Sequence, residues 1–192
     1  MRDSVDQRLI SWVSEIGFNP ITLPNSLAEI DRKINDQLKL DQWISSLKIN
    51  GIILSGGNNI GDIKERDITE TYLLKYAETN EIPVLGICRG MQMLAVYDGA
   101  KLKKVPNHTN VIHALITFSD TNFPSSVNSY HDFSIANCPD SYKITATSLD
   151  NEIEAISHRH LPWEGWMWHP ERDDEISSIN SDRFKKLICY EK

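Results

Sequence analysis

The chain has 192 residues, 40% of them hydrophobic and 24% charged, which predicts a single globular domain spanning residues 1–192. Its formal net charge of -7 excludes a general nucleic-acid binder, because neutralising phosphates requires a basic face. No apolar run approaches a membrane span, and the N-terminal residues lack a secretion signal, so we expect no nucleic-acid or membrane partner and a cytoplasmic location.

The first half of the chain alternates helical and strand patterns. Apolar residues at helical spacing predict helices over residues 4–16, 41–48, 65–79 and 89–97. Apolar runs that end in glycine predict buried strands at GIILS (51–55) and IPVLGI (82–87). Because strands that alternate with helices form parallel sheets, the sequence predicts an α/β fold with a mostly parallel central sheet.

From residue 102 the pattern changes to short strands with little helix between them. Strands are predicted at residues 111–118, 142–148, 152–157 and 165–169. They indicate an antiparallel or mixed extension of the same sheet, and a last helix is predicted over residues 175–189. The chain also opens inside a helix, whereas sheets of this type usually begin with a strand. Either this topology starts with a helix or the initial strand is missing.

The cysteines are Cys88, Cys138 and Cys189, an odd number without a C-x-x-C pair, which argues against a disulfide framework or a zinc ribbon. Most free cysteines are packing residues, and we expect Cys138 and Cys189 to be inert. Cys88 differs because it lies in GICRG (86–90), directly after a predicted strand. That segment predicts either a small thiol in a tight space or a strand-turn-helix elbow that presents a nucleophile.

Two other segments also follow predicted strands. SGGNN (55–59) offers unobstructed backbone N–H groups, and MWHPER (167–172) offers a histidine and a glutamate two residues apart. In open parallel sheets, ligands bind beyond the carboxyl ends of the strands, where these segments would meet. Each motif alone is more often structural, but their joint occurrence at strand ends favours a cysteine nucleophile.

The residue types suit acyl transfer by a thiol. A helix N-terminus and an imidazole would favour the thiolate of Cys88. His169 would act as the base, and Glu171 would orient its ring. The backbone N–H groups of Gly57 and Arg89 would form an oxyanion hole.

The motifs LSGGNN, GICRGMQML and WHPER together resemble the class I glutamine amidotransferase superfamily. RDITE (66–70) is similar to the R-D-x-x-E segment of its γ-glutamyl hydrolase group, which ammonia-supplying subunits usually lack. The resemblance spans about residues 1–173 and implies a three-layer, flavodoxin-like fold without a cofactor. We expect Arg66 and Asp67 to hold the glycine loop, SGGNN (55–59), in place rather than to take part in catalysis.

The resemblance implies the same catalytic roles for Cys88, His169 and Glu171. It also implies that Gly57 and Arg89 form the oxyanion hole. It assigns the γ-glutamyl pocket to four further residues, which are Gln92 and, within VNSYHDF (127–133), Ser129, Tyr130 and His131. Family members begin with a strand that precedes a helix similar to the start of this chain, so we expect an N-terminal truncation that removes the first strand.

The predicted function is hydrolysis of a γ-glutamyl amide bond through a thioester, with release of glutamate from a small conjugate. Similarity to relatives from capsule and surface-polysaccharide gene clusters favours a nucleotide-linked or otherwise specialised conjugate. One alternative is a glutaminase subunit that delivers ammonia to a synthetase or transferase partner. Another is a non-catalytic or defective relative.

The remaining histidines do not predict a metal site. His158 and His160 alternate and would face one side of a strand, but no third ligand accompanies them in the sequence. His108 and His113 are expected to be surface or structural residues. The less favoured alternative is that they contact the substrate. We therefore expect no bound metal.

Overall fold

The computed structural model describes residues 4–27, 37–118 and 122–189. The helices in these ranges are α1 (Gln7–Glu15), α2 (Gln37–Ser46), α3 (Lys64–Asn80), α4 (Arg89–Tyr97) and α5 (Ser178–Ile188). The strands are β1 (Ile52–Leu54), β2 (Val84–Ile87), β3 (Leu102–Lys104), β4 (Thr109–Thr117), β5 (Ser126–Tyr130), β6 (Phe133–Ile135), β7 (Tyr142–Ser148), β8 (Ile153–His158) and β9 (Trp163–Trp166). A short 3-10 helix covers Pro170–Arg172.

Seven strands form one mixed sheet in the order β1-β2-β9-β8-β7-β4-β5, and β3 pairs with β6 separately. β1, β2 and β9 are parallel neighbours, whereas β9, β8, β7, β4 and β5 pair in antiparallel fashion. The α/β class and the antiparallel extension are confirmed, but among the described strands the extension is larger than the parallel part. Parallel neighbours require long crossover connections, and the segment between β7 and β8 is too short for one.

The sheet lies between two layers of helices. Val84 of β2 packs in a hydrophobic cluster with α2, α3 and α4, whereas the next residue, Leu85, packs in a second cluster with α1 and α5. Successive side chains of a strand point to opposite faces, so β2 is covered on both sides. This three-layer arrangement explains why its sequence reads as a continuous apolar run.

The predicted elements agree with the described ones most closely where the local pattern is strong. Helix α4 and strand β7 have the predicted bounds of 89–97 and 142–148. The short strands β3, β5 and β6 were not predicted as separate elements, since three to five residues carry little periodicity. Within the described ranges, no helix combines the length and apolar character that crossing a membrane requires.

β1 is the last strand at one end of the sheet. A cavity of about 700 Å³ lies beside it, lined by residues of α1, of the segment 17–25 and of α3. The absence of a first strand and the single domain remain predictions.

Helix α4 lies in direct contact with the parallel strands because two positions lack a side chain. A Cβ atom on Gly90 would lie 1.9 Å from the carbonyl oxygen of Leu54 in β1. A Cβ atom on Gly86 would lie 2.5 Å from the carbonyl carbon of Gly90. Since backbone atoms cannot move aside as a flexible side chain can, both positions require glycine.

We predict that Gly90→Ala lowers the free energy of unfolding by more than about 3 kcal/mol, because the added methyl group forces the helix away from β1. Urea denaturation measures this change. Gly61→Ala is the matched control, since its φ of +96° creates backbone strain but its Cβ would meet no atom within 4 Å. The control should lose only about 1–2 kcal/mol, and equal losses would contradict the packing argument.

Candidate active site

A strand-turn-helix elbow places Cys88 between the end of β2 and the start of α4. Its backbone has φ 50° and ψ -106°, which a residue with a side chain rarely adopts. The N–H of Cys88 donates a hydrogen bond of 2.7 Å to the carbonyl oxygen of Trp166, the last residue of β9. The elbow is therefore attached to the neighbouring parallel strand, and its thiol is buried.

Burial raises the pKa of the Cys88 thiol to about 12. The negative charges of Glu171 and Glu154 act in the same direction, whereas a hydrogen bond from the backbone N–H of Arg89 and the charge of Arg172 oppose it. The helix N-terminus at Arg89 is expected from the sequence to favour the thiolate. That contribution exists, but desolvation outweighs it, so the thiol is protonated at neutral pH.

His169 and Glu171 form a buried pair just beyond β9. The Nδ1 atom of His169 lies 2.6 Å from Oε1 of Glu171, and Pro170 between them begins the 3-10 helix. A neutral imidazole bonded to a carboxylate through Nδ1 carries its proton there. The Nε2 atom of His169 is then the nitrogen with a free lone pair.

The glycine loop after β1 lies against the His169 ring. A Cβ atom on Gly56 would lie 2.5 Å from Cε1 and 3.3 Å from Nε2 of His169. Gly57 has a φ of +142°, and its Cβ would lie 2.3 Å from Nη1 of Arg66. The loop fits between an imidazole and a guanidinium group only because neither position has a side chain.

A buried charge network connects this loop to the elbow. Arg66 donates hydrogen bonds of 2.6 and 3.1 Å to two carbonyl oxygens of the loop and one of 2.7 Å to Glu70. The side chain of Arg89, which is 2% exposed, forms ion pairs with Glu70 and Asp67. Asp67 also accepts a hydrogen bond from the N–H of Gly61. These contacts agree with the expected bracing role of Arg66 and Asp67.

Sequence reasoning missed Asn128, which holds the backbone of His169 from β5. The side-chain amide of Asn128 donates to the His169 carbonyl at 2.7 Å, and its oxygen accepts from the His169 N–H at 2.9 Å. It also donates to Asp173 at 2.9 Å. Asn128 lies inside the segment selected for the pocket, and strand alternation could have placed it on the same face as Tyr130.

Tyr130 lies beside His169 as well. The two rings meet edge to face with centroids 5.8 Å apart, and the guanidinium carbon of Arg172 lies 4.8 Å from the centre of the Tyr130 ring. Tyr130 is 38% exposed. Tyr130 is thus a residue of the expected γ-glutamyl pocket whose side chain contacts His169.

The side chains of the other three pocket residues form hydrogen bonds within the protein. The amide of Gln92 donates to the Phe133 carbonyl at 2.9 Å, and Nδ1 of His131 lies 3.0 Å from that same oxygen. The hydroxyl of Ser129 donates to the His108 carbonyl at 2.6 Å. Neither Cys88 nor His169 lines the cavity beside β1.

The family model for class I glutamine amidotransferases matches residues 1–179 of this chain. The chain belongs to the class I glutamine amidotransferase family. This family is enzymatic, and the membership confirms the resemblance seen in the glycine loop, the elbow and the WHPER segment.

Known relatives include both hydrolases and synthase subunits. γ-Glutamyl-CDP-amidate hydrolase of Campylobacter jejuni is 34% identical over 137 residues, which cover 68% of this chain and 66% of that protein. Anthranilate synthase component 2 of Cyanophora paradoxa is 30% identical over 181 residues, covering 88% of this chain and 86% of that protein. The crystal structure of a GMP synthase subunit from Thermoplasma acidophilum superposes with a TM-score of 0.73 at 25% identity, covering 95% and 85% of the two chains.

We predict that alkylation of Cys88 by iodoacetamide becomes faster with each pH unit from pH 7 to pH 10 without a plateau. The thiolate is the reactive form, and its fraction grows tenfold per unit as long as the pH stays below the raised pKa. Mass spectrometry of the two peptides compares Cys88 with Cys189, which is exposed and should react first at pH 7. A plateau for Cys88 below pH 9 would contradict the raised pKa.

We also predict that Asn128→Ala lowers the free energy of unfolding by about 2 kcal/mol, because the backbone N–H and carbonyl of His169 both lose a partner. Thermal and urea unfolding measure the change. Asn137→Ala is the control, since Asn137 is exposed and accepts one long bond of 3.4 Å from the Lys101 N–H. If the two variants are equally stable, the contact with His169 contributes nothing.

Proposed function

We propose that this chain hydrolyses a γ-glutamyl amide bond, with Cys88 as nucleophile and His169 as its base. The observation that carries the proposal is the buried His169–Glu171 pair, held against the glycine loop at the end of β9. β9 pairs directly with β2, the strand that ends in the Cys88 elbow. Base and nucleophile thus follow adjacent parallel strands.

The first step requires a base because burial keeps the thiol protonated. Nε2 of His169 accepts the thiol proton as the Cys88 sulfur attacks the γ-carbonyl carbon, and the carbonyl π electrons move to oxygen. The N–H groups of Gly57 and Arg89 stabilise this oxyanion, and loss of one such donor typically raises the barrier by about 3 kcal/mol. Glu171 stabilises the imidazolium that forms.

The intermediate then collapses. The carbonyl re-forms, the C–N bond breaks, and His169 gives its proton to the departing nitrogen, which leaves as an amine. The remaining γ-glutamyl thioester is attacked by water, whose proton passes to His169. The C–S bond breaks, the sulfur regains a proton, and glutamate is released. Asn128 is a positioning residue in this scheme, because it holds the backbone of His169.

The γ-glutamyl end is proposed to bind near Gln92, Ser129, Tyr130 and His131. Three of these side chains are hydrogen-bonded within the protein, which holds them in place. The positive charge of Arg172 lies beside Tyr130, 3.5 Å from a carboxylate oxygen of Asp6 and 3.9 Å from one of Glu171, and it suits an anionic leaving portion. A nucleotide-linked conjugate fits this charge, and the Campylobacter relative is named for one. The capsule pathway and the cytoplasmic location remain predictions.

A glutaminase subunit is the second candidate, favoured by the similarity to anthranilate synthase and GMP synthase subunits. Such a subunit would hydrolyse glutamine efficiently only with a synthetase or transferase partner. Against it stands the network built by RDITE, a segment that the family resemblance links to the hydrolase group.

The deciding experiment measures glutamate release by the isolated chain from glutamine, γ-glutamyl-γ-aminobutyrate and a γ-glutamyl nucleotide phosphoramidate. We expect kcat/KM to be at least tenfold higher for one of the conjugates than for glutamine. Cys88→Ala should lower the rate more than about 1,000-fold, because the thioester cannot form. Cys189→Ala, which changes an exposed thiol, should retain wild-type activity.

Three results would contradict the proposal. Activity on glutamine that appears only when a synthetase partner is added would identify an ammonia-supplying subunit. Equal activity of wild type and Cys88→Ala would exclude the nucleophile. Inactivity of the folded wild type on every compound and with every partner would favour a non-catalytic relative.

A further inference from the structure

Three histidines surround one buried carboxylate outside the Cys88, His169 and Glu171 group. Glu154, in β8, is 0% exposed. Its Oε1 atom lies 3.5 Å from Nδ1 of His108, 3.7 Å from Nε2 of His113 and 3.5 Å from Nε2 of His131. His108 directly precedes β4, His113 lies in β4 and His131 directly follows β5, so three side chains from two parts of the chain converge on one oxygen of β8.

The atoms that face each other in this cluster are without hydrogen bonds from described residues. The two carboxylate oxygens of Glu154 accept no hydrogen bond from these residues. The three histidine nitrogens that approach Glu154 neither donate nor accept one. Buried polar groups are almost always hydrogen-bonded, and an uncompensated buried carboxylate is strongly unfavourable. A cation bound at the centre of this arrangement would compensate the carboxylate and give the facing nitrogens a partner.

The outer nitrogens of two rings determine where their protons lie. Nε2 of His108 is 3.0 Å from Oδ2 of Asp150, and Nδ1 of His131 is 3.0 Å from the Phe133 carbonyl oxygen. A neutral ring bonded in this way keeps its proton on the outer nitrogen and points the other lone pair at Glu154. Metal-binding histidines typically donate their second nitrogen to a carboxylate or a carbonyl in the same manner.

The spacing also fits a shared ion better than direct hydrogen bonds. Hydrogen bonds between nitrogen and oxygen span about 2.7–3.2 Å, shorter than the three contacts with Glu154. Ligand atoms of a tetrahedral zinc ion, with bonds of about 2.1 Å, lie about 3.4 Å from one another. The ligand atoms of His108, His113 and Glu154 all lie within 4.8 Å of one another, so small side-chain shifts would bring them onto one ion.

We propose that His108, His113 and Glu154 bind one divalent transition-metal ion of the zinc type. Imidazole and carboxylate ligands suit Zn²⁺, and three protein ligands leave one position of its tetrahedral shell open. This proposal replaces the sequence-based expectation that no metal is bound, and it does not depend on the proposed reaction.

The ion would join the antiparallel extension of the sheet beside the predicted pocket. His113 lies in β4, Glu154 lies in β8, and His131 directly follows β5, which carries Ser129 and Tyr130. β8 does not pair with β4 or β5 in the sheet, since β7 lies between. A metal bond would therefore connect strands that the hydrogen-bond ladder does not join directly.

Metal content and metal-dependent stability test the proposal on protein purified without a histidine tag. We expect inductively coupled plasma mass spectrometry to find about one zinc ion per chain. Dialysis against a chelator should lower the melting temperature by several degrees, and equimolar Zn²⁺ should restore it. Replacing zinc with Co²⁺ should give the visible absorption of a tetrahedral site.

Glu154→Gln and His113→Gln should weaken Zn²⁺ affinity at least tenfold, and His160→Gln, outside the cluster, should leave it unchanged.

Wild-type protein decides the question even if a cluster variant does not fold. If the chelated wild type binds neither Zn²⁺ nor Co²⁺ stoichiometrically and melts at the same temperature with and without metal, the proposal is wrong. Equal weakening of Zn²⁺ binding in His160→Gln and in the cluster variants would also overturn it, because the ion would then bind elsewhere.

Discussion

The close approach of helix α4 to strands β1 and β2 is the contact on which the geometry of the Cys88 elbow depends. Gly90 lies so near the Leu54 carbonyl, and Gly86 so near Gly90, that no side chain fits at either position. The chain must therefore turn within one residue, and Cys88 takes up the unfavourable backbone conformation. Its hydrogen bond to Trp166 then aligns the elbow with the end of β9.

The same packing sets the electrostatics around the elbow. Burial makes the Cys88 thiol a weak acid, so a reaction at neutral pH needs a neighbouring base more than a charged thiolate. Burial also removes the Arg89 side chain from water, and two carboxylates from α3 compensate its charge. The surrounding ion pairs and hydrogen bonds connect the glycine loop to the elbow, which suits preorganised stabilisation of a developing negative charge.

The antiparallel half of the sheet contributes a side chain that holds His169 and a second buried cluster of charged and titratable groups. Asn128 reaches across from β5 to hold the backbone of His169, and the Glu154 cluster lies within the strands that follow residue 102. The two buried charge clusters differ in one respect. Arg89 has its counterions in place, whereas Glu154 faces three rings and accepts no hydrogen bond from a described residue.

The sequence by itself determined the features that depend on neighbours along the chain: the glycines around Cys88, the two-residue spacing of His169 and Glu171, and the bounds of α4. Only the tertiary structure decided the long-range features, such as the contact of Asn128 with His169, 41 positions away. The raised pKa of Cys88 and the convergence of histidines on Glu154 belong to the same class. Burial and cross-strand contacts arise from packing between distant segments, which local periodicity does not encode.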